Sequence, residues 1–527
     1  MIQGPGGAAA LPAETLFGPG AARSPKFHVQ DRTLNSQPST DPVLPDRKSL
    51  YQALLAHDRR FDGLFFVGVT STGIYCRPVC PVKPPRESNC RFFPGAQEAE
   101  QAGFRPCLRC RPELAPGQAP VDNSRRIAHR IVQRIEEGVS DDETAALEVI
   151  AHEFQLSSRQ IRRIVQKELG VPPIQLIQTR RLLLARQLLT ETQLPVIEIA
   201  FASGFASLRR FNDAFITRYR MPPTRLRRTA AENGELLSAT GTSMLQLCYR
   251  PPYDWTGLLA FLKARQLKSV EWVTDQFYAR TVRLGDAKGW IKVTHAGDKN
   301  ALLLEFTRSL APVLFALLNR VRDLFDLNAR PDIISKHLAR DRHLRARVRA
   351  NPGLRVPGAF NGFELGIRAI LGQQITVKAA TTIAGRFATA FGEPIVTPIP
   401  ELTRLTPVPA RIVRAGVDHI ARLGIVRARG KSILALARAQ DSGKLSLDAG
   451  IHHDPDETIA RLRKLPGIGD WTAHYIAMRA LRWPDAFPKD DLAVRKNLGG
   501  VTARSAEELS RSWRPWRSYA VLYILGR

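Results

Sequence analysis

The spacing of apolar and polar residues divides the chain into stretches of different habit. Residues 1–46 show no sustained periodicity and are rich in Gly, Ala, Pro and Ser, which reads as a disordered leader. Order begins near Asp46. Ser49 to His57 has the spacing of a short helix, and Gly63 to Thr70 is an apolar run of strand length. Arg91-Phe92-Phe93 is a second strand-like piece, and Ala96 to Ala102 a short helix. Pro112 to Val121 holds three Pro and one Gly and reads as a linker.

Beyond it the apolar residues recur at helical spacing. The predicted helices are Asn123–Glu137, Ala146–Phe154, Ser157–Val165, Ile174–Leu189, Val196–Phe205 and Ser207–Phe215. Residues 230–243 read as another linker. Alternation then takes over: Leu245 onwards, Tyr278–Gly285, Trp290–His295 and Ala301–Phe306 are predicted strands of one antiparallel sheet. Helices at Thr256–Arg265 and Ala311–Phe325 flank it, and from Phe360 the pattern is helical. The expected fold class is therefore multidomain. It comprises a small α+β domain at 47–118, an all-α double helix-turn-helix at 123–229, an α+β sheet domain at 244–355 and an all-α domain at 356–527.

Charge changes the picture. The formal net charge is +28, and such a basic excess points to a polyanionic partner, most often nucleic acid. No uncharged apolar run has the length of a membrane span, and the start lacks the plan of a signal peptide, so a cytoplasmic, nucleoid-associated protein is expected.

Of six cysteines, four form two close pairs, Cys76-Arg-Pro-Val-Cys80 and Cys107-Leu-Arg-Cys110, with 26 residues between them. This is metal-site spacing, and four thiolates suit one tetrahedral Zn²⁺. The flanks are basic: Arg77, Lys83, Arg86, Arg91, Arg105, Arg109 and Arg111. On spacing alone the cluster is either a structural knot or a nucleophile aimed at something anionic. Cys90 and Cys248 lie outside the pairs and are expected to be packed thiols.

The helical stretch contains one pattern twice. An apolar helix, a tight turn and a Ser-initiated basic helix occur at Ser157 and again at Ser207, about 50 residues on. Candidate DNA contacts are Arg159, Gln160, Arg162 and Arg163 in the first basic helix, and Arg209, Arg210 and Asn212 in the second. Near the C-terminus, Leu465-Pro466-Gly467-Ile468-Gly469-Asp470 reads as the hairpin of a helix-hairpin-helix. Backbone amides at Gly467 and Gly469 are placed to meet a DNA phosphate.

These motifs carry resemblances. Thr72-Gly73-Ile74-Tyr75-Cys76-Arg77-Pro78-Val79-Cys80 with Ala102–Cys110 resembles the zinc domain of the Ada methyl-response proteins, and the duplicated helices resemble the AraC-type activators. Together these cover about residues 47–229. Ada likeness implies that zinc-bound Cys76 irreversibly accepts a methyl group from a DNA methylphosphotriester, with Cys80, Cys107 and Cys110 as the other ligands. The activator likeness implies promoter DNA and RNA polymerase as partners. The hairpin, Ala369–Thr376, Phe487–Lys496 and Trp513–Ala520 make residues 244–527 similar to the AlkA-type 3-methyladenine glycosylases. That likeness implies Asp491 as the catalytic carboxylate, with Asp490 read as the helix cap. It also implies Phe261, Trp471 and Tyr475 as walls of the base pocket, and Gln374 at the position that fills the gap left by a flipped base.

The same resemblance implies carbonyls near Arg463, Leu465 and Ile468 holding a monovalent cation. It further implies monofunctional excision, because Trp471 stands where bifunctional lyases carry lysine. Leu525 takes a position that is aromatic in the family. A monomer is expected. The reading that competes is a methylation-sensing regulator whose glycosylase module is inactive.

Overall fold

The computed structural model describes residues 46–57, 62, 65–112, 127–128, 131–132, 134–135, 143–154, 156–232, 242–448 and 455–526. The predicted leader and the first predicted linker fall almost entirely outside these, and so do residues 233–241 of the second; residues 230–232 close a helix and 242–243 open a strand. The described residues up to 112 form one compact unit and those from 127 on a second.

In the first unit, helix α1 (Arg47–Leu55) opens on Asp46, whose carboxylate accepts from the Ser49 N–H. Four strands follow: β1 (Phe66–Val69), β2 (Ile74–Cys76), β3 (Cys90–Phe93) and β4 (Arg105–Pro106), ordered β3-β1-β2-β4. Helix α2 (Ala96–Gln101) precedes β4. The sequence pattern foretold β1 and β3; β2 and β4 are too short for alternation to register. Cys90 is buried with Leu50, Leu54, Phe65 and Val67, the packed thiol expected of it.

In the second unit, the residues described within the predicted Asn123–Glu137 helix, such as Ile127, Ile131 and Ile135, are helical. Then come α3 (Glu143–Glu153), α4 (Ser158–Leu169), α5 (Pro173–Glu191), α6 (Val196–Ala202), α7 (Leu208–Tyr219) and α8 (Pro223–Glu232). Both basic helices start on a serine that accepts from the backbone three residues on: Ser157 from Gln160 and Ser207 from Arg210.

The sheet domain has five antiparallel strands in the order β5-β9-β8-β7-β6: β5 (Thr242–Cys248), β6 (Glu271–Val273), β7 (Phe277–Leu284), β8 (Ala287–Ala296) and β9 (Ala301–Thr307). Leu245 and Leu247 face the core, so the alternation carries Cys248 outwards. Cys248 is exposed, against the expectation of a packed thiol. Helix α9 (Trp255–Lys263) is capped by Asp254, and the predicted Ala311–Phe325 helix is a 3₁₀ turn followed by α10 (Leu314–Leu324), the change falling at Pro312–Val313.

Beyond the sheet the described elements are helical: α11 (Pro331–Leu338), α12 (Arg345–Ala350), α13 (Gly362–Leu371), α14 (Val377–Phe391), α15 (Pro409–Ala421), α16 (Arg427–Asp441), α17 (Pro455–Arg463), α18 (Asp470–Arg479), α19 (Leu492–Asn497), α20 (Ala503–Ser510) and α21 (Arg517–Ile524), and α11 and α12 pack into the core of the helices that follow them.

A buried ionic network joins sheet to helices. Arg280 on β7 donates to Glu364 on α13 at 2.8 Å, and Arg368 bridges Glu364 and Glu271 at 3.0 and 3.1 Å. Burial alone would raise the Glu364 carboxyl, but Arg280 and Arg368 hold it down at about 2, below its ordinary 4.5. A depressed carboxylate contributes stability above its unfolded pKa and loses it as pH falls towards the folded one. The urea midpoint of the wild type is therefore expected to drop between about pH 5 and pH 3. Glu364→Gln should flatten that drop while lowering the midpoint at neutral pH, because Arg280 then lies buried with less charge compensation.

Candidate functional sites

The first candidate site is a metal centre. Parallel pairing of β2 with β4 sets Ile74 beside Arg105 and Tyr75 beside Pro106, so the next residues, Cys76 and Cys107, emerge side by side. The Cys107 N–H donates to the Tyr75 carbonyl at 3.0 Å and fixes that register. A turn at Arg77, closed by the Cys80 N–H on the Arg77 carbonyl, brings Cys80 back, and Cys110 follows one turn after Cys107. The four Sγ atoms lie within 4.8 Å of one another, with Cys80 and Cys107 at 4.0 Å. A tetrahedral Zn–S bond of about 2.3 Å requires sulfurs about 3.8 Å apart, so the cluster is close to that size. Four thiolates this close and this buried repel one another unless a divalent cation lies among them. The donor set fits Zn²⁺.

Arg77 differs from its predicted role as part of a cationic surround. Its side chain is fully buried and forks onto Asp62, with its Nε donating to Asp62 Oδ1 at 2.7 Å. Its backbone N–H points at Cys110 Sγ, 3.5 Å away. Arg77 thus braces the turn between Cys76 and Cys80.

In the helix-turn-helix units, Ile161 and Val165 are buried, which leaves Arg159, Arg162 and Arg163 exposed on the other face of α4. Gln160 is exposed too, but its Oε1 accepts from the Ser157 N–H at 2.9 Å, so it also serves the helix cap. On α7, Phe211 and Phe215 point inwards, Arg209 and Arg210 are exposed and Asn212 is half-buried.

The other candidate active site is a cavity of about 370 Å³ between the sheet-domain helix α9 and helices α13, α14, α18, α19 and α21. Phe261 of the sheet domain and Trp471, Tyr475 and Asp491 of the helical domain all line it. Trp471 and Tyr475 stack with centroids 5.4 Å apart, as their one-turn spacing on α18 allows. Leu525 also lines the cavity.

Asp491, not Asp490, is the N-cap of α19. Its Oδ1 accepts from Ala493 N–H at 2.9 Å and Val494 N–H at 3.0 Å, and its Oδ2 accepts from Trp471 Nε1 at 2.8 Å. Capping and pocket roles, assigned in sequence to two neighbouring residues, coexist in one: one oxygen secures the helix and the other faces the cavity wall. Gln374, grouped with the pocket residues as the one that fills the gap left by a flipped base, does not line the cavity; it is exposed on the loop after α13 with φ of 54°. The left-handed conformation there turns the chain between α13 and α14 and leaves Gln374 outside the cavity.

At the hairpin between α17 and α18, Gly467 has φ of 74°, and a Cβ there would stand 2.2 Å from Ser432 Oγ, so only glycine fits. Gly467 and Gly469 are exposed. Gln373, unremarked in the sequence reading, ties this hairpin to α13: its Nε2 donates to the Gly467 carbonyl and to Thr472 Oγ1, both at 2.9 Å.

Sequence reasoning also missed the guanidinium groups of the cavity wall: Arg265, Arg368 and Arg479. Arg265 lies 4.2 Å and Arg479 5.0 Å from the centroid of the Phe261 ring. Arg479 donates to Tyr475 Oη at 2.8 Å and to the carbonyls of Pro357 and Gly358. Burial alone would raise the Tyr475 hydroxyl, yet Arg479, Arg265 and Arg368 hold it below its ordinary value. No sequence signal pointed to these arginines, because α9, α13 and α18 meet only in three dimensions.

Four families match the chain in succession: the metal binding domain of Ada at residues 49–113, a helix-turn-helix domain at 150–229, the AlkA N-terminal domain at 244–361, and the HhH-GPD superfamily of base excision DNA repair proteins at 367–516. One relative, from Mycobacterium tuberculosis, is named a probable bifunctional transcriptional activator/DNA repair enzyme AlkA. It is 38% identical over 486 residues, covering 91% of this chain and 96% of the relative. The chain belongs to that family. Its C-terminal half is also similar to the DNA-3-methyladenine glycosylase 2 of Escherichia coli, at 36% identity over 281 residues, 53% of this chain and 96% of that protein. The N-terminal part is 33% identical over 123 residues to the E. coli bifunctional transcriptional activator/DNA repair enzyme Ada, covering 23% of this chain and 33% of that one. The family therefore joins a zinc domain, a helix-turn-helix region, a sheet domain and a helix-hairpin-helix domain in one chain. Among the described residues no helix is long and apolar enough to cross a membrane.

Proposed function

We propose that the chain senses DNA alkylation through Cys76, activates transcription in response, and excises alkylated bases as a monofunctional glycosylase. The observation that carries the glycosylase reading is the carboxylate of Asp491, held by three N–H donors at the wall of an aromatic cavity. A flipped alkylated base enters against the Trp471–Tyr475 stack. The C1′–N bond breaks and its electron pair leaves with the base. Asp491 stabilises the positive charge that develops on the sugar, and water then adds at C1′ with loss of a proton. Gly467 and Gly469 offer backbone amides to a phosphate, and the carbonyls near Arg463, Leu465 and Ile468 are the candidate ligands of a monovalent cation. Gln374 reaches from its exposed loop into the gap in the duplex.

At the N-terminal site, zinc when bound keeps the thiols deprotonated yet nucleophilic. Cys76 Sγ attacks the methyl carbon of a methylphosphotriester, the C–O bond breaks, and the electron pair stays on the phosphate oxygen. One thiolate becomes a thioether, so the formal charge of the cluster rises from about −2 to about −1 and its repulsion of DNA falls. The two basic helices α4 and α7 then hold promoter DNA for RNA polymerase.

Treating DNA with a methylating agent, incubating it with the protein, and analysing released bases and intact protein mass in one sample tests both halves. Release of no alkylated base sinks the glycosylase reading, and an unaltered protein mass sinks the acceptor reading.

The cavity arginines make a sharper forecast. Aromatic rings attract cationic bases, yet two guanidinium groups already sit against Phe261. Replacing Arg265 with Met removes one positive charge from the wall and keeps its bulk. The ratio of cationic to neutral lesions released is expected to rise by about tenfold, as read by competition kinetics on a mixed substrate.

A further inference from the structure

Strand β5 is the edge of the five-stranded sheet and bonds to β9 on one side only. An edge left open is a liability that proteins normally cover. Here helix α5 of the activator region covers it. Glu191 Oε2 accepts from the Gln246 N–H at 2.7 Å, and Gln187 Nε2 donates to the Gln246 carbonyl at 2.8 Å. Gln187 also donates to Glu191 at 3.1 Å, so two side chains one helical turn apart stand in for a neighbouring strand. A second contact lies at the start of α6. Glu198 is held in a fork by Arg308, whose Nε and Nη2 donate at 2.9 and 2.6 Å from the 3₁₀ turn after β9.

The apolar residues agree with this. Leu184 and Leu188 at the C-terminal end of α5, with Ile199 and Phe211 of the second helix-turn-helix motif, belong to one continuous core with Leu245, Leu247 and Leu310 of the sheet domain. The first motif has a separate core of Ile131, Ile150, Ile161, Val165 and Ile177. The sheet domain is in turn fastened to the helical domain, by Arg320 to Asp448 at 2.9 Å and by Arg482 to Asp326 at 2.6 Å. Neither family match crosses the boundary between activator and sheet domain, since one ends at residue 229 and the next begins at 244.

We propose that the edge of β5 is a docking surface for the second helix-turn-helix motif, so that α7 and the base cavity engage DNA as a single body while the first motif answers separately. The two halves would then be coupled through structure and not only through the peptide that joins them. DNA gripped by α7 would raise the effective concentration of nearby duplex at the cavity.

Hydrogen exchange on the full chain tests this, using Glu198→Arg, Arg308→Glu and the double swap. Each single change sets like charges against each other. Exchange across Val196–Tyr219 is expected to quicken by about three- to tenfold in both and to return in the swap, with Ser158–Leu169 unchanged throughout. Glu191→Ala, which strips the acceptor from the Gln246 N–H, should quicken the same segment by about tenfold or more, and Glu191→Gln should recover most of it. The idea fails if Val196–Tyr219 ignores the single changes and Glu191→Ala alike. It also fails if Ser158–Leu169 quickens equally, since that reports general loosening, or if the swap restores nothing. None of these readouts depends on base excision or methyl transfer, so they stand apart from the proposed activities.

Discussion

Asp491→Asn is expected to slow base release by about a thousandfold or more, while the protein stays folded and bound to DNA. Asparagine is as good an N-cap as aspartate, so its oxygen keeps the bonds from Ala493 and Val494 and helix α19 stays in place. What disappears is the negative charge beside the sugar. The amide that replaces Oδ2 also turns a donor towards Trp471 Nε1, now a partner without an acceptor. Trp471→Phe separates the two effects. It keeps the stack on Tyr475 but frees the carboxylate, and a loss of about ten- to a hundredfold is expected. Single-turnover kinetics on methylated duplex, with melting temperature as the control for folding, distinguish these outcomes. If both variants release bases at the wild-type rate, Asp491 is only a cap. If the wild type itself releases none, the helix-hairpin-helix domain serves as a docking module for a regulator.

Much of this was legible in the sequence because the decisive features are local. Four cysteines in two pairs, two Ser-initiated basic helices and a Pro-Gly-Ile-Gly turn each fit within a window that spacing can read. The aromatic cavity was reachable through resemblance, and Phe261, Trp471, Tyr475 and Asp491 do converge on it. Features made by tertiary convergence were not legible. Arg368 and Arg479 come from two helices and Arg265 from the turn after a third, and each alone looks like an ordinary surface basic residue. Arg77 looked like part of a basic surround because its partner Asp62 lies fifteen residues away. The cap at Asp491 was misplaced by one residue, since adjacent aspartates give composition nothing to choose between. Cys248 was misjudged because a free cysteine is usually buried, whereas strand alternation at β5 sends it outwards.

Cys76 is expected to gain one methyl group, once and irreversibly, when the protein meets DNA carrying methylphosphotriesters. The geometry narrows the choice of acceptor. Cys110 is wholly buried and Cys80 is 2% exposed, whereas Cys76 and Cys107 keep 7% and 8%. Only the latter two offer a reagent any approach. Cys107 follows β4 and Cys76 ends β2, so peptide mapping after digestion separates them cleanly. The Ada-like setting favours Cys76, and methyl found on Cys107 instead would overturn the assignment. Cys76→Ala should gain no methyl and should hold zinc more weakly, with three thiolates in place of four. The methylated protein should bind duplex DNA more tightly than the unmodified one, because the cluster has lost one unit of negative charge. That advantage must shrink as salt rises, since a charge effect is screened over about 10 Å at 0.1 M ionic strength. Titrations of both forms at two salt concentrations therefore separate a charge switch from a change of shape. A gain in affinity that persists undiminished at high salt would assign the switch to rearrangement of the zinc domain.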